Sequence, residues 1–257
     1  MMNVPKTVLI TGANRGIGLG LVKELMKVNG IEYIFAGFRR KDATDTLYRV
    51  AAKNPKLVEP VLMDISNDRS LENSFIRVDS FIGDKSGLNL LINNAGIMQP
   101  EGGGVMDADR ESYMKHFDTN VVSATMVVKK FLPLLQKGSK SSGSTEMGAN
   151  RAAIVNISAM VGSITSNTLG SEMFPNLAYR MSKATLNQLT RQLAFDLKKD
   201  GIIVTSIDPG WVKTDLGGTD APTTVDQAAA EMVKAILTLS KTHSGAFIRM
   251  NGTKLPF

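Results

Sequence analysis

The fold is decided by the stretch Lys6-Thr-Val-Leu-Ile-Thr-Gly-Ala-Asn-Arg-Gly-Ile-Gly18. Its β-branched and aliphatic run predicts a buried parallel strand. Gly12, Gly16 and Gly18 then allow backbone angles and close approaches that a Cβ would block, and apolar residues at steps of three and four predict a helix after Gly18. Free N–H groups and the positive end of the helix dipole favour an anion at such a turn. The turn is therefore predicted to bind the pyrophosphate of a dinucleotide, although glycines in this spacing also occur in ordinary turns.

Apolar β-rich runs alternate with stretches of helical length along the rest of the chain. After Thr7–Ile10, the runs predicted as strands are Tyr33–Ala36, Leu57–Leu62, Leu88–Ile92, Ala153–Ile157, Ile202–Ile207 and Ala246–Met250. This alternation is typical of a parallel, doubly wound sheet that binds ligands at the carboxyl ends of its strands. We predict a single α/β domain of Rossmann type over residues 1–257, with a mostly parallel sheet of about seven strands and helices on both faces.

Composition narrows the possible functions of the 257 residues. The chain has no cysteine and only two histidines, which disfavours disulfides, thiol nucleophiles and a metal site. The net charge of +6 would suit nucleic acid, but the basic residues are scattered and aromatic residues make up only 6% of the chain. No apolar run reaches the ~18 residues of a membrane span, and no signal peptide is recognisable. We expect a cytoplasmic protein without nucleic-acid or membrane partners.

The end of the second predicted strand indicates which dinucleotide binds. A carboxylate that accepts the 2′-hydroxyl of NAD is expected about 20 residues after the glycine turn, but the chain there reads Ala36-Gly-Phe-Arg-Arg-Lys41. Arg39, Arg40 and Arg15 could instead surround a 2′-phosphate. NADP(H) is therefore predicted as the cofactor, whereas Arg40 and Lys41 could also be plain surface charges.

Tyr179 and Lys183 form the clearest catalytic pair, because Tyr179 is the only one of four tyrosines with lysine at i+4. On a helix this spacing places both side chains on one face. A ketone accepts hydride well only if its oxygen receives hydrogen bonds and finally a proton. A phenol has a pKa near ~10, and an adjacent ammonium is predicted to lower it. Ser158, at the end of the fifth strand, would be a second donor to the same oxygen.

The motifs together resemble the short-chain dehydrogenase/reductase superfamily over essentially the whole chain. They are Thr11-Gly12-x-x-x-Gly16-x-Gly18, Asn93-Asn-Ala-Gly96, Asn120, Ser158, Tyr179-x-x-x-Lys183 and the segment from Pro209-Gly210 to Thr214. Within the superfamily, Phe38-Arg39, the long serine-to-tyrosine segment and the ending Leu255-Pro-Phe257 look closest to the sniffer-type carbonyl reductases.

The resemblance implies a role for individual residues. Catalysis falls to Ser158, Tyr179 and Lys183, together with Asn120, which would bend its helix and anchor a water on a proton relay. Asp64 and Ile65 would contact the adenine, and Val212 and Thr214 the nicotinamide carboxamide and pyrophosphate. The full set of implied cofactor contacts is Gly12, Asn14, Arg15, Gly16, Ile17, Gly18, Arg39, Asp64, Ile65, Asn93, Ala95, Gly96, Tyr179, Lys183, Pro209, Gly210, Val212 and Thr214.

Two segments need a separate interpretation. Tyr179 lies 21 positions after Ser158, whereas about a dozen are usual in the family. The extra residues, within Gly162–Ala178, include Met173-Phe-Pro175 and are predicted to form a partly apolar wall of the substrate pocket. Gly138 to Asn150 is rich in glycine and serine, and it is predicted to be an exposed, mobile loop.

The sequence thus predicts an enzyme that uses NADPH to reduce aldehydes, ketones or quinones to alcohols. Two alternatives stay open: an NADP-dependent dehydrogenase that oxidises a hydroxysteroid-like or other secondary alcohol, and a non-catalytic NADPH-binding regulator. A Ser-His-Asp hydrolase is disfavoured because no serine elbow pairs with either histidine. Family members often dimerise through the helices bearing Asn120 and Tyr179, so a homodimer is expected.

Overall fold

The computed structural model describes residues 2–40, 44–83, 86–99, 104–172 and 175–257. Eight strands lie in these ranges. They are β1 Thr7–Ile10, β2 Tyr33–Phe38, β3 Val58–Leu62, β4 Leu90–Asn93, β5 Ala153–Ile157, β6 Ile203–Asp208, β7 Phe247–Arg249 and β8 Lys254–Leu255. They form one sheet in the order β3-β2-β1-β4-β5-β6-β7-β8, parallel throughout except for β8.

Helices cover both faces of the sheet, as predicted. They are α1 Gly16–Leu25, α2 Asp45–Lys53, α3 Asp68–Ile82, α4 Arg110–Phe117, α5 Ser123–Ser141, α6 Leu177–Asp196 and α7 Val225–Leu237. Alternate residues of each strand point to opposite faces. Val8 therefore packs in one core cluster with α1, α2 and α7, whereas Leu9 packs in the other with α3, α5 and α6. None of the helices in the described ranges combines the length and apolarity needed to cross a membrane.

The strand order reverses on either side of β1, which pairs with β2 on one side and with β4 on the other. At such a point the connections leave the sheet in opposite directions and open a crevice at the carboxyl ends of the strands. Thr7 anchors the other end of β1, where its hydroxyl donates to Gly87 O at 2.6 Å and accepts from Asn89 N at 2.9 Å. The predicted ligand crevice therefore lies beside Ile10 and Asn93.

The sheet has one strand more than predicted. Lys254–Leu255 pairs antiparallel with β7, with Phe247 opposite Leu255, and extends the edge of the sheet. A two-residue strand carries no periodic signal, so the sequence could not indicate it. The seven predicted strands all occur, and their ends differ from the predicted ones by at most two residues.

The prediction of an exposed loop over Gly138 to Asn150 is partly wrong. Helix α5 continues to Ser141, and Gly138, Ser139 and Ala149 are buried. A Cβ on Gly138 would lie 2.2 Å from Leu88 O. The glycine therefore marks a close helix-to-strand contact here, and only part of the segment, such as Glu146, is exposed.

The stretch from Asp118 to Val122 has its own helical geometry. It is a π-helical turn that joins α4 to α5 in one continuous helical run. Such turns insert an extra residue into a helix and are frequent at functional sites. Asn120 lies within this turn and is buried, which agrees with the implied bend.

Candidate active site

The glycine turn between β1 and α1 is shaped as a cradle for a dinucleotide. Gly12 and Gly16 have φ angles of 64° and 51°, which side-chain-bearing residues rarely adopt. A Cβ on Gly12 would lie 3.0 Å from Ala95 Cα, and one on Gly18 would lie 2.3 Å from Gly12 O. The φ angles explain why Gly12 and Gly16 are glycine, and the close contacts explain it for Gly12 and Gly18. The turn also leaves the N-terminus of α1, where the macrodipole favours an anion, beside the crevice.

Thr11 and Asn94 fix this turn to the end of β4, a role that the sequence analysis did not assign. The Thr11 hydroxyl accepts from the backbone N–H groups of Asn94 and Ala95, each at 3.0 Å. The Asn94 amide in turn donates to Thr11 O at 2.9 Å and Gly12 O at 3.1 Å. Thr11 lies in the glycine motif and Asn94 lies in the motif Asn93-Asn-Ala-Gly96. The sequence therefore indicates that these positions belong to the site, but it does not indicate their hydrogen bonds.

The segment after β6 closes the cradle from the other side. Pro209 and Val212 are buried, Gly210 turns the chain with a φ angle of 75°, and Thr214 Cγ2 lies 3.4 Å from the Cβ position of Gly16. Arg15, at the start of α1, forms an ion pair with Asp215. Both side chains are mostly exposed, so the pair adds little stability, but it places a guanidinium beside the turn, where it can bind an anion.

The adenosine end of the predicted site lies at the tips of β2 and β3. Arg39 directly follows β2 and is exposed, and Lys41 lies outside the described residues. Asp64 follows β3, and its carboxylate accepts from Ser66 N at 3.1 Å and Ser66 Oγ at 2.8 Å. Ile65 packs partly against the core. Arg39, Asp64 and Ile65 thus lie at the carboxyl ends of β2 and β3, and the glycine turn lies at the carboxyl end of the neighbouring β1.

The inner part of the crevice is lined by the end of β4. The Asn93 amide donates to Asn156 Oδ1 at 2.9 Å, while Asn93 Oδ1 is buried and accepts no hydrogen bond from the described residues. Buried acceptors are normally satisfied, so Asn93 Oδ1 suits a donor on a bound ligand. Ala95 touches the glycine turn, and Gly96 lies between the side chains of Asn120 and Lys183. Asn14 and Ile17 belong to the turn itself, and Ile17 packs on the core.

Ser158, Tyr179 and Lys183 meet where β5 ends against α6. All three are buried. Lys183 Nζ donates to Ile157 O at 2.7 Å and lies 5.6 Å from the centre of the Tyr179 ring. Ser158 Oγ lies 3.5 Å from Lys183 O, and Ser158 N donates to Ile207 O at 2.8 Å. The predicted catalytic residues are therefore assembled in one place.

The pKa of Tyr179 is shifted in the opposite direction from the predicted one. Burial, followed by the negative charge of Asp208, raises the pKa of Tyr179, whereas the sequence predicted that Lys183 would lower it. Burial also lowers the pKa of Lys183 to about 8, because little of the lysine's lost hydration is replaced. Tyr179 is consequently a neutral phenol at physiological pH, and this is the form that donates a proton.

Asn120 contacts α6 at Ser182, the residue before Lys183. Its Oδ1 accepts from Ile97 N at 2.8 Å, and its Nδ2 donates to Ile97 O and Ser182 Oγ, both at 3.0 Å. These bonds tie the π-helical turn to the segment after β4 and to α6. The role of Asn120 in a water relay stays a prediction.

Asp208 is a buried carboxylate at the site to which the sequence analysis assigned no role. Its Oδ1 accepts from Met160 N at 3.1 Å. Burial raises the pKa of Asp208, while hydrogen bonds from Met160 N and Gly210 N and the charge of Arg249 act in the opposite direction. Asp208 thus joins the turn after Ser158 to the turn that begins the Pro209 to Thr214 segment.

A second unassigned group fixes the start of α6, two residues before Tyr179. Asn176 caps the helix, since its Oδ1 accepts from Tyr179 N at 3.0 Å, and its amide donates to Gln99 O at 2.6 Å. Gln99 N donates to Nε2 of the buried His116 at 3.1 Å. An asparagine before a helix is a recognisable capping signal, but its partners on other elements leave no sequence signal.

Residues 6–224 match the family model described as short chain dehydrogenase. The chain therefore belongs to the short-chain dehydrogenase family, which confirms the family prediction made from its motifs.

Among its relatives, an uncharacterized oxidoreductase of Schizosaccharomyces pombe is 30% identical over 97% of this chain and 96% of its own length. Among solved structures, the carbonyl reductase Sniffer of Drosophila melanogaster is 35% identical, covers 98% of this chain and 100% of its own, and superposes with a TM-score of 0.92. The NADPH-bound carbonyl reductase from chicken fatty liver is 34% identical, with a TM-score of 0.91 and coverages of 98% and 99%. These similarities support the predicted likeness to sniffer-type carbonyl reductases.

Proposed function

We propose that this protein is an NADPH-dependent reductase that converts aldehydes, ketones or quinones to alcohols. The observation that carries the proposal is the convergence of the buried Ser158, Tyr179 and Lys183 at the same end of the sheet as the glycine turn between β1 and α1. The similarity to carbonyl reductases, one of them bound to NADPH, supports both the substrate class and the cofactor.

The cradle residues fit a dinucleotide phosphate. The glycine turn and the N-terminus of α1 would hold its pyrophosphate, Arg15 and Arg39 its 2′-phosphate, and Asn93 Oδ1 would accept a hydrogen bond from it. Asp64 and Ile65 are proposed at the adenine, and Val212 and Thr214 at the nicotinamide end. When bound, NADPH supplies the hydride that the carbonyl carbon receives.

The chain itself supplies the proton. In our proposal the neutral Tyr179 hydroxyl donates its proton to the carbonyl oxygen as negative charge develops there, and Ser158 Oγ donates a second hydrogen bond to the same oxygen. Lys183 places a positive charge near the Tyr179 phenol as the phenol loses its proton. Asn120 holds the π-helical turn against Ile97 and Ser182. Donors fixed before the reaction act without reorganisation, which is why their burial favours catalysis.

The raised pKa of Tyr179 bears on the dehydrogenase alternative. Oxidation of an alcohol requires Tyr179 to accept a proton, so it needs the phenolate, which burial and Asp208 disfavour. Reduction requires the neutral phenol, which they favour. The similarity to carbonyl reductases supports reduction as the proposed direction, and initial rates with NADPH plus carbonyls against NADP⁺ plus alcohols compare the two directions.

Tyr179→Phe tests the proposal. It removes the proton donor and keeps the ring, so kcat for carbonyl reduction should fall by the ~10²–10⁴ typical of lost general acid catalysis, while the NADPH dissociation constant should stay nearly unchanged. Tyr48→Phe, on the exposed side of α2, is the matched control and should retain wild-type kcat. Near wild-type reduction by Tyr179→Phe would refute the mechanism and revive the non-catalytic NADPH-binding alternative.

A further inference from the structure

Arg180 lies next to Tyr179 on α6, is buried, and has no role in the chemistry proposed above. Its guanidinium points away from the catalytic group, into the segment between Ser158 and Tyr179. Nη1 donates to Gly170 O at 2.5 Å, and Nη2 donates to Asn167 Oδ1. Asn167 Oδ1 also accepts from Gly170 N at 3.1 Å, so Arg180, Asn167 and Gly170 are all joined to one another by hydrogen bonds. Hydrogen bonds from a charged donor such as this guanidinium hold their acceptors more firmly than neutral bonds do.

The same segment is held at its other end by the residues that follow β8. Ser163 Oγ donates to Pro256 O at 2.7 Å, and Thr165 N donates to Phe257 O at 2.8 Å. The Phe257 ring stacks on Phe247 of β7, with 6.1 Å between the ring centres, which ties these carbonyls to the sheet. Residues Ser163 to Gly170 are thus hydrogen-bonded at one end to the residues after β8 and at the other end to Arg180 of α6.

Between the two attachments the segment exposes large apolar side chains. Ile164 is 76% exposed and Leu169 is 50% exposed, and neither belongs to a helix or strand. A chain of small polar residues without regular structure does not keep one shape by itself, because each ordered residue costs about 1–2 kcal/mol of backbone entropy. The attachments therefore determine where these apolar side chains stand relative to Ser158 and Tyr179.

We propose that Arg180 is a specificity-determining positioning residue, which fixes Ser163 to Gly170 as an apolar wall for bulky carbonyl substrates. The proposal rests on the proposed reductase function. A polycyclic quinone is large enough to touch the wall, so it gains binding energy only while the wall is held in place. A short aliphatic aldehyde contacts mainly the catalytic group, so it is less sensitive to the position of the wall.

The test compares kcat/KM for 9,10-phenanthrenequinone with kcat/KM for propanal, using NADPH. Arg180→Lys keeps the charge but cannot donate to both acceptors in the same planar geometry. We expect the quinone-to-aldehyde ratio to fall about tenfold, the factor that one lost charge-assisted hydrogen bond produces. Arg191→Ala is the matched control, since Arg191 lies on the same helix and donates to Gly245 O at 3.1 Å, away from the wall. Its ratio should equal that of the wild type.

Hydrogen–deuterium exchange gives a readout that is independent of activity. In Arg180→Lys the amides of Ser166 to Glu172 should exchange about tenfold faster, whereas those of β5 should not change. If Arg180→Lys does not fold, Asn167→Ala removes one acceptor at an exposed position and should accelerate the same amides. Unchanged exchange, or an equal fall of the ratio in Arg191→Ala, would overturn the proposal. Absence of carbonyl reduction by the wild type would overturn the proposed function alone, because exchange would still decide whether Arg180 holds the wall.

Discussion

Asp208 places a negative charge close to the phenol that is proposed to donate the proton. The charged and titratable groups that face it are Arg249 on β7 and Tyr179 on α6, and the N–H groups of Met160 and Gly210 bond to it. Asp208→Asn removes the charge and keeps an acceptor for Met160 N. The pKa of Tyr179 should then fall, because the phenolate is no longer opposed by a carboxylate.

The pH dependence of alcohol oxidation with NADP⁺ measures this effect, since that direction requires the phenolate. The pH at half-maximal kcat should move to a lower value in Asp208→Asn. Asp196→Asn, at the exposed end of α6, should leave the profile in place. A profile of Asp208→Asn that matched the wild type would show that the charge of Asp208 does not act on Tyr179.

Lys183 is predicted to lower the free energy of unfolding, because folding buries its charged ammonium group. Its pKa falls from 10.5 to about 8 on folding, a difference of roughly 2.5 pKa units, which corresponds to about 3 kcal/mol. The unfolded chain binds more protons between these values, so wild-type stability should rise with pH from about 8 to 10.5, and the full penalty applies below pH 8.

Lys183→Met should therefore raise the free energy of unfolding at pH 7 by up to about 3 kcal/mol, less the contribution of the lost bond to Ile157 O. The advantage over the wild type should shrink as the pH approaches 10.5. Urea denaturation at both pH values measures it, with Lys234→Met on the exposed face of α7 as the control. A constant difference between the variants at the two pH values would contradict the prediction.

At the scale of the elements, Gly138 tests how α5 packs on the strand β4. Alanine in a helix is normally favoured over glycine by up to about 1 kcal/mol. Here the added Cβ would lie 2.2 Å from Leu88 O, and overpacking typically costs about 1–3 kcal/mol. The steric cost should win, so Gly138→Ala should lower the melting temperature. The exposed Lys140→Ala, two residues along α5, should not lower it, and a stabilised Gly138→Ala would indicate that the backbones separate easily.

The sequence predicted elements well wherever a periodic pattern and a motif coincide. β1, the glycine turn and α1 follow from one stretch, and α6 follows from its leucines and from the pair Tyr179 and Lys183. The two-residue β8 and the π-helical turn around Asn120 depend on tertiary pairing, and sequence periodicity does not record it. Gly138 was interpreted as a loop glycine, because a glycine required by a close contact looks the same in sequence as one in a flexible segment.

The site was predictable where a residue type itself carries the chemistry, as with Ser158 and Tyr179. The bonds that position these residues could not be predicted, since they join residues far apart in the chain. Arg180 is an example: nothing in its immediate neighbourhood indicates that it reaches Asn167 and Gly170 rather than solvent. The direction of the pKa shift of Tyr179 was predicted wrongly, because burial and the charge of Asp208, which sequence does not quantify, raise it.

For the molecule as a whole, cofactor binding should couple to global stability. The cradle joins parts of the chain from β1, β4 and β6, so a bound dinucleotide should stabilise all of them together. At a free concentration of 100 times its dissociation constant, NADPH should add about 2.7 kcal/mol, which corresponds to a melting-temperature rise of roughly 5–10 °C. NADH at equal concentration should raise it less.

Arg39→Asp should reduce the NADPH shift and leave the NADH shift nearly unchanged, because one charge-assisted bond to a phosphate contributes about 1.5–3 kcal/mol. Arg69→Asp, on the exposed first turn of α3, is a control for the change in net charge. Equal shifts with the two cofactors in the wild type would contradict the role of Arg39. The same samples in light scattering would test the expected homodimer.

The central place of β1 in the sheet also governs how the chain is made. The partner strand β4 follows β1 by about 80 residues, which takes roughly 4–16 s at ordinary rates of translation. During that interval β2 can pair with one side of β1, while the N–H and C=O groups on the other side have no native strand to meet. An unpaired apolar edge of this kind is a template for other chains. Synthesis of Leu90–Asn93 therefore ends the period in which the second side of β1 is open to other chains.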